Sequence, residues 1–168
     1  KGIGARDIAV LFWLSLFELN VDELFAVIGA DLGGGIAWEM ATLFPKRIQN
    51  LIPIAASPIV NDWLAKNPAV ENTWLNELFL SVDITLNRKK LSELTQLIKS
   101  NLHIIHVKDV SYFDAKKEKS FYQQLQLLKK NVQFYELDTL SDNQLIIDEN
   151  QIDLIVNNIL TTELLKVA

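Results

Sequence analysis

Asp31 sits in the run VIGADLGGG (Val27–Gly35), in the register small residue, x, nucleophile, x, small residue. A sharp strand-to-helix turn needs that register if it is to present a reactive side chain at a helix N-terminus. Such a turn crowds the backbone, so Gly29 and Gly33 are expected to leave room while residue 31 is pushed into solvent. The amide of Leu32 would then supply half of an oxyanion hole. Glycine-rich turns of this kind also cradle phosphates or simply pack, and the motif alone leaves those alternatives open. His103 and His106 are the two histidines of the chain. Both fall in LHIIHV, where their odd spacing sends them to opposite faces of a strand, so structural roles are expected for them.

Composition narrows the chemistry further. The chain has no cysteine, which excludes thiolate metal sites, iron–sulfur clusters, thiol nucleophiles and disulfides, and no metal site is expected. That composition fits a reducing, cytoplasmic setting. Sixteen basic against twenty-one acidic residues give a net charge of -5 with no basic block, so nucleic acid is not an expected partner. The longest apolar stretch, Ile8 to Phe17, is about half of the roughly 20 residues a membrane span requires. Lys1 and Arg6 imitate a signal peptide, but Asp7 interrupts the basic region and Glu18 stands where a small-residue cleavage site belongs. With 168 residues, 49% of them hydrophobic, one compact domain over 1–168 is expected.

The elements that must position Asp31 are legible as alternating patterns. Asp7 to Leu19 is apolar on nearly every face, which predicts a buried helix. Leu24 to Ile28 is a continuous apolar run, the signature of a parallel strand covered on both faces. Ile36, Met40 and Phe44 then recur at helical spacing until Pro45. Leu51 to Ala56 reads as a strand, with Pro53 arguing for an edge or a bulge. Residues 58 to 82 are expected to hold two helices broken at Asn67 and Pro68, whose Trp63 and Trp74 could line a groove, with core packing the favoured reading. An amphipathic helix from Arg88 to Ser100 leads into the strand Leu102 to Val107. Asp114 can cap a helix running to Lys130, Val132 to Leu137 is a fourth strand, and a last helix starts near Gln151. The expected fold class is α/β, a mostly parallel sheet of four strands with helices on both faces. Leu24 to Ile28 should form an edge, uncharged and without a gatekeeper, that pairs with a second copy or with a segment of a parent chain.

The run from Arg6 to Ala55 resembles homoserine O-acetyltransferases of the α/β-hydrolase superfamily, and is most similar to the short bacterial forms. In those an elbow of the form GGSLGGGIAWEMA is followed by an LIPIA-like strand and a DWL segment. Here they read GADLGGGIAWEMA, LIPIAAS and Asp62-Trp63-Leu64. VDITLN, LHIIHVKDVSYFDAKKE and NVQFYELDTLSDNQLIIDE are similar, in order, to the family's C-terminal strands. The resemblance implies the C-terminal half of an α/β-hydrolase fold, with a lid shortened to residues 58–87. It also implies a serine that carries acetyl from acetyl-CoA to homoserine, activated by a histidine that an aspartate orients. No resident cofactor is implied; acetyl-CoA would be a substrate only in an active protein.

This chain departs from the family at each triad position. Asp31 replaces the serine. The histidine motif GHDAFLIE is matched by SDNQLIID (Ser141–Asp148), which puts Asp142 where histidine belongs. The SDxLFP turn aligns with DVSYFD, so Val110 takes the aspartate position unless a one-residue slip restores Asp109. Haloalkane dehalogenases and epoxide hydrolases resemble this elbow and use an aspartate nucleophile, but they too require a histidine. An Asp31–Asp142 carboxylate dyad is the remaining acid–base arrangement. The family's N-terminal strands, which supply the second oxyanion amide, have no counterpart here. The expectation is a degenerate acetyltransferase-like domain without acetyltransferase activity. The alternative is an excerpt of an active acyltransferase or hydrolase with Asp31 at the nucleophile position.

Overall fold

Short apolar runs bounded by Gly, Pro and polar residues form the sheet, and the longer periodic segments between them form helices. The computed structural model describes residues 4–30, 32–56, 93, 96–107, 115–128, 131–138 and 148–167. In chain order the elements are α1 (Ala5–Glu18), β1 (Leu24–Ala30), α2 (Leu32–Leu43), β2 (Ile48–Ile54), β3 (Asn101–Val107), α3 (Ala115–Leu128), β4 (Val132–Leu137) and α4 (Glu149–Leu165). The four strands lie in the order β1-β2-β3-β4 and every neighbouring pair is parallel. Register runs from Leu24–Ile48 to Ala30–Ile54 between β1 and β2, and from Leu102–Val132 to Val107–Leu137 between β3 and β4. The α/β class, the parallel sense and the edge position of β1 match the sequence expectation. The helices expected between 58 and 82, the tryptophans there and the lid region 58–87 lie outside the described residues.

Two apolar cores flank the sheet. One joins Ala5, Ala9 and Trp13 of α1 with Ile36 to Ala41 of α2, Tyr122 and Leu125 of α3, and Leu51, Leu102 and Ile104 of the strands. The other joins Ile52, Ile54, Ile105, Val107 and Leu137 with Ile159 of α4, and Ile152, Ile155 and Val156 pack against it. Strand side chains alternate between the two cores because the pleat has a period of two. Helices therefore cover both faces.

Three local expectations are corrected. Strand β2 starts at Ile48 and ends at Ile54 rather than spanning 51 to 56. Polar Asn50 is admitted because its Nδ2 donates to Phe25 O at 2.9 Å, so burial leaves its amide satisfied. Pro53 stands in an interior strand, opposite Gly29, not at an edge. The β2–β3 ladder passes from Leu51–Leu102 to Ile54–Ile105 across it, where the missing N–H forgoes one rung without breaking the strand. Helix α1 is not buried: Val10, Leu11, Phe12 and Leu14 are exposed, because its inner face is Ala5, Ala9 and Trp13 at spacings of four, flanked by half-buried Ile8, Leu16 and Phe17. The last helix begins at Glu149, where Asp148 Oδ1 accepts from the amide of Asn150 at 2.9 Å.

A seam of carboxamides crosses the amino-terminal side of the sheet. Asn131 Nδ2 donates to Asn101 Oδ1 (3.0 Å), and Asn101 Nδ2 donates to Asn50 Oδ1 (3.1 Å). With the bond from Asn50 to Phe25, the seam links all four strands, or the residue preceding one, through side chains.

Candidate active site

The turn from β1 to α2 lies at the carboxyl end of the sheet, where parallel α/β sheets place their ligands. Strand β1 ends at Ala30 and α2 begins at Leu32, so a single residue separates strand from helix. The turn is this sharp because glycine lets backbone meet backbone. A Cβ on Gly29 would fall on the carbonyl of Gly33, and one on Gly34 would fall on the Cβ of Ala56. Gly33 is different: a Cβ there meets nothing within 4 Å. The expectation that Gly29 and Gly33 both leave room is thus half corrected, since it is the backbone of Gly33, not its side-chain direction, that Gly29 must accommodate.

Helix α2 is locked in place from three sides. Trp38 Nε1 donates to Ala56 O at 3.3 Å, tying the helix to the residues after β2. Trp13 Nε1 donates to Met40 O at 3.1 Å from α1. Arg6 Nη1 reaches the buried carboxylate of Glu39 at 2.9 Å, which supplies the counter-charge that a buried ion needs. Leu32 opens this fixed helix, so its N–H belongs to the first turn, where amides have no intrahelical acceptor and favour negative charge. That is the position an oxyanion donor requires.

Asp31, Asp109 and Asp142 lie outside the described residues; Leu32 is the one predicted site residue within them. His103 and His106 do face opposite ways. His103 stacks on Tyr135 at a centroid distance of 6.3 Å, and His106 on Phe134 at 5.6 Å. Tyr135 packs in one core and Phe134 in the other. His103 is moreover the third residue of β3, near the amino-terminal end of the sheet and away from the β1–α2 turn. Burial lowers its pKa, with Glu163 opposing the shift and Lys166 adding to it; Gln133 also favours the charged form. Neither ring nitrogen makes a hydrogen bond of good geometry, although Nε2 lies 3.5 Å from Glu163 Oε1. Among the described residues no group of three or more His, Cys, Asp or Glu is placed to hold a metal ion.

Sequence reasoning passed over Ala55 and Ala56. Ala55 holds φ 48 just after β2, a left-handed conformation that costs a residue with a Cβ about 1–2 kcal/mol. Its amide donates to Ile105 O at 2.9 Å, which holds the strained residue in place. The pair of small residues ending LIPIAA is the signal: only a short side chain at 56 fits against Gly34.

A family model described as alpha/beta hydrolase fold matches residues 5–146. The chain belongs to the alpha/beta hydrolase fold family. Within this hydrolase-fold chain, a stretch of 56 residues is 41% identical to homoserine O-acetyltransferase of Geotalea uraniireducens, covering 33% of this chain and 15% of that relative. The corresponding enzyme of Citrifermentans bemidjiense is 36% identical over the same length. An alpha/beta hydrolase from a Mar Chica lagoon sediment metagenome superposes with a TM-score of 0.67 at 15% identity, covering 95% of this chain and 70% of that one. Homoserine O-acetyltransferase from Bacillus anthracis superposes with a TM-score of 0.61 at 12% identity, covering 83% and 60%. At those identities the solved structures establish the fold. The curated matches add a local homoserine O-acetyltransferase similarity. Among the described residues no helix is long and apolar enough to cross a membrane.

Proposed function

We propose that this chain is a homoserine O-acetyltransferase-like hydrolase-fold domain without acetyltransferase activity as it stands, acting in the cytoplasm through association. The reading is carried by the residues at the three positions that match the family triad: Asp31 for serine, Asp142 for histidine, and Val110 or Asp109 for aspartate. An aspartate in place of histidine has no nitrogen to take a proton from a nucleophile and return it to a leaving group. Leu32 N–H remains as one oxyanion donor. One donor without a nucleophile and base binds an acyl oxygen but does not turn it over. No resident cofactor is needed for this role, and acetyl-CoA enters only as a substrate of an active form.

Association is supported by the β1 edge. It is uncharged from Leu24 to Ala30 and exposes Ile28, and α1 separately exposes Val10, Leu11, Phe12 and Leu14. For the isolated chain the available partner is a second copy; in a longer protein it is another segment of that protein.

Incubating the chain with acetyl-CoA and homoserine tests the catalytic half: CoA release at the uncatalysed rate is expected, and turnover well above it overturns the reading. Asp31→Ser with Asp142→His is expected to restore little, because triad side chains accelerate a reaction only when all their partners are positioned, and Val110 or Asp109 stands at the third position. The solved relatives extend beyond the part this chain covers, which supports a second reading, an excerpt of an active acyltransferase or hydrolase with Asp31 as nucleophile. A covalent acyl adduct on Asp31, read by mass spectrometry after exposure to acyl ester substrates, would favour it.

A further inference from the structure

Opposite the β1–α2 turn, at the amino-terminal ends of β3 and β4, the chain forms a half-open cavity of about 280 Å³. Its walls carry three carboxamides, Asn101, Asn131 and Gln133, together with His103 and the Glu163–Lys166 pair from the end of α4. Val132 is the one apolar residue among the described residues that line it. His103 is 2% exposed and lines this cavity, its ring nitrogens without a hydrogen bond of good geometry although Nε2 lies 3.5 Å from Glu163 Oε1. A buried polar group without a hydrogen bond costs about 1–3 kcal/mol, and the carboxamides beside His103 give the cavity the donors and acceptors that a hydrogen-bonding occupant needs.

We propose that this cavity binds a small, uncharged, hydroxyl-rich molecule, a polyol or a monosaccharide. Charge excludes the other classes. The Glu163 carboxylate is already occupied, Oε1 by Lys166 Nζ at 2.5 Å and Oε2 by Asn101 Nδ2 at 3.2 Å. A ligand anion would face that buried carboxylate, and a ligand cation would have to displace Lys166, which is held at high effective concentration three residues along the same helix. Hydroxyls suit what remains, because each donates and accepts. A neutral imidazole offers one donor and one acceptor, and carboxamides offer both on one planar group. The order of the walls is fixed in advance: Asn131 donates to Asn101, and Tyr135 Oη donates to Gln133 Oε1 at 2.6 Å while its ring stacks on His103. A volume of about 280 Å³ is roughly nine times the share of one water, enough for a molecule of several carbons.

The chain has two histidines, so the ring resonances of His103 and His106 are separable by NMR with one His106→Gln variant for assignment. Titrating at pH 7.5 with glycerol and with glucose is expected to move the His103 signals along a saturable curve in the millimolar range, with His106 unmoved. Sodium acetate and ethylammonium chloride at matched ionic strength are expected to leave His103 in place. Asn131→Ala and Gln133→Ala alter exposed positions and preserve the fold, and each is expected to weaken the polyol about fivefold or more. A shift strictly linear in glycerol and glucose, meaning water only, overturns the proposal. So does saturation by acetate or ethylammonium, or equal polyol affinity in both variants.

Discussion

Strand β4 borders one side of the sheet with Gln133 and Glu136 exposed, whereas β1 borders the other with Ile28 exposed and no charge along its length. Polar and charged residues on an edge discourage another strand from pairing there; an uncharged apolar edge invites it. The helices differ in which residues they turn inward. Helix α4 turns Ile152, Ile155, Val156 and Ile159 inward onto the sheet. Helix α1 buries Ala5, Ala9 and Trp13 but leaves Val10, Leu11, Phe12 and Leu14 exposed. Helix α4 nonetheless exposes Leu154, Leu164 and Leu165, so the two sides differ most at the strand edges, one polar and the other apolar. The difference teaches that the stability of β1 and α1 comes from inward contacts, while their outward faces are free for association.

The largest expected effect tests those inward contacts. Trp13→Ala removes a buried ring that stacks on Phe17, meets Phe44 edge-on at 5.2 Å and donates to Met40 O, so a loss of about 3–5 kcal/mol is expected in urea unfolding. Leu11→Ala and Leu14→Ala, on the outer face of the same helix, should each stay within about 0.5 kcal/mol. Equal losses on both faces would erase the contrast.

Next in size is the β1–α2 seam. Gly29→Ala drives a methyl into the Gly33 carbonyl and is expected to cost about 3 kcal/mol, whereas Gly33→Ala should be tolerated within about 1 kcal/mol. Urea midpoints of the two variants provide the check. A smaller effect belongs to the edges themselves. Ile28→Lys is expected to weaken self-association at least tenfold, about 1.4 kcal/mol, while Glu136→Lys on the opposite edge leaves it unchanged. Light scattering across a concentration series decides between them. Val27 is the poorer probe of the edge because its side chain packs against the core.

The smallest effect lies toward the polar edge. His103 is buried with its pKa held below the usual value of about 6.5, so the unfolded chain binds more protons in the window between the lowered and the usual value. Stability therefore falls as pH drops through that window, and is unaffected by this group above it. Thermal unfolding from pH 7.5 to 5.0 should show the loss, and His103→Gln should flatten it by at most about 1.4 kcal/mol per pH unit. An unchanged slope would show that folding leaves the His103 pKa unshifted.

Periodicity in the sequence determined the alternation of strand and helix, the parallel sense of the sheet and the edge position of β1. Those features follow from short-range patterns: LFAVI and LHIIHV are unbroken apolar runs of strand length, and helical crossovers between strands make neighbours parallel. The half-exposure of Leu24 to Ile28 does not match the cover on both faces that the apolar run predicts. The glycine turn at Asp31 was legible for the same reason, as a local backbone requirement. Tertiary structure alone decided which glycine is crowded, since the obstacle for Gly29 is the Gly33 carbonyl and for Gly34 the methyl of Ala56, more than twenty residues away. It alone placed Pro53 inside the sheet, where the rest of the ladder outweighs one missing rung. It also turned the apolar stripe of α1 outward, because a helix apolar on every face does not state which face the core will use. The carboxamide seam and the cavity around His103 were hidden most completely. Asn50, Asn101, Asn131 and Glu163 are scattered through the chain, and only parallel register brings the three amides abreast while the last turn of α4 lowers a carboxylate onto them.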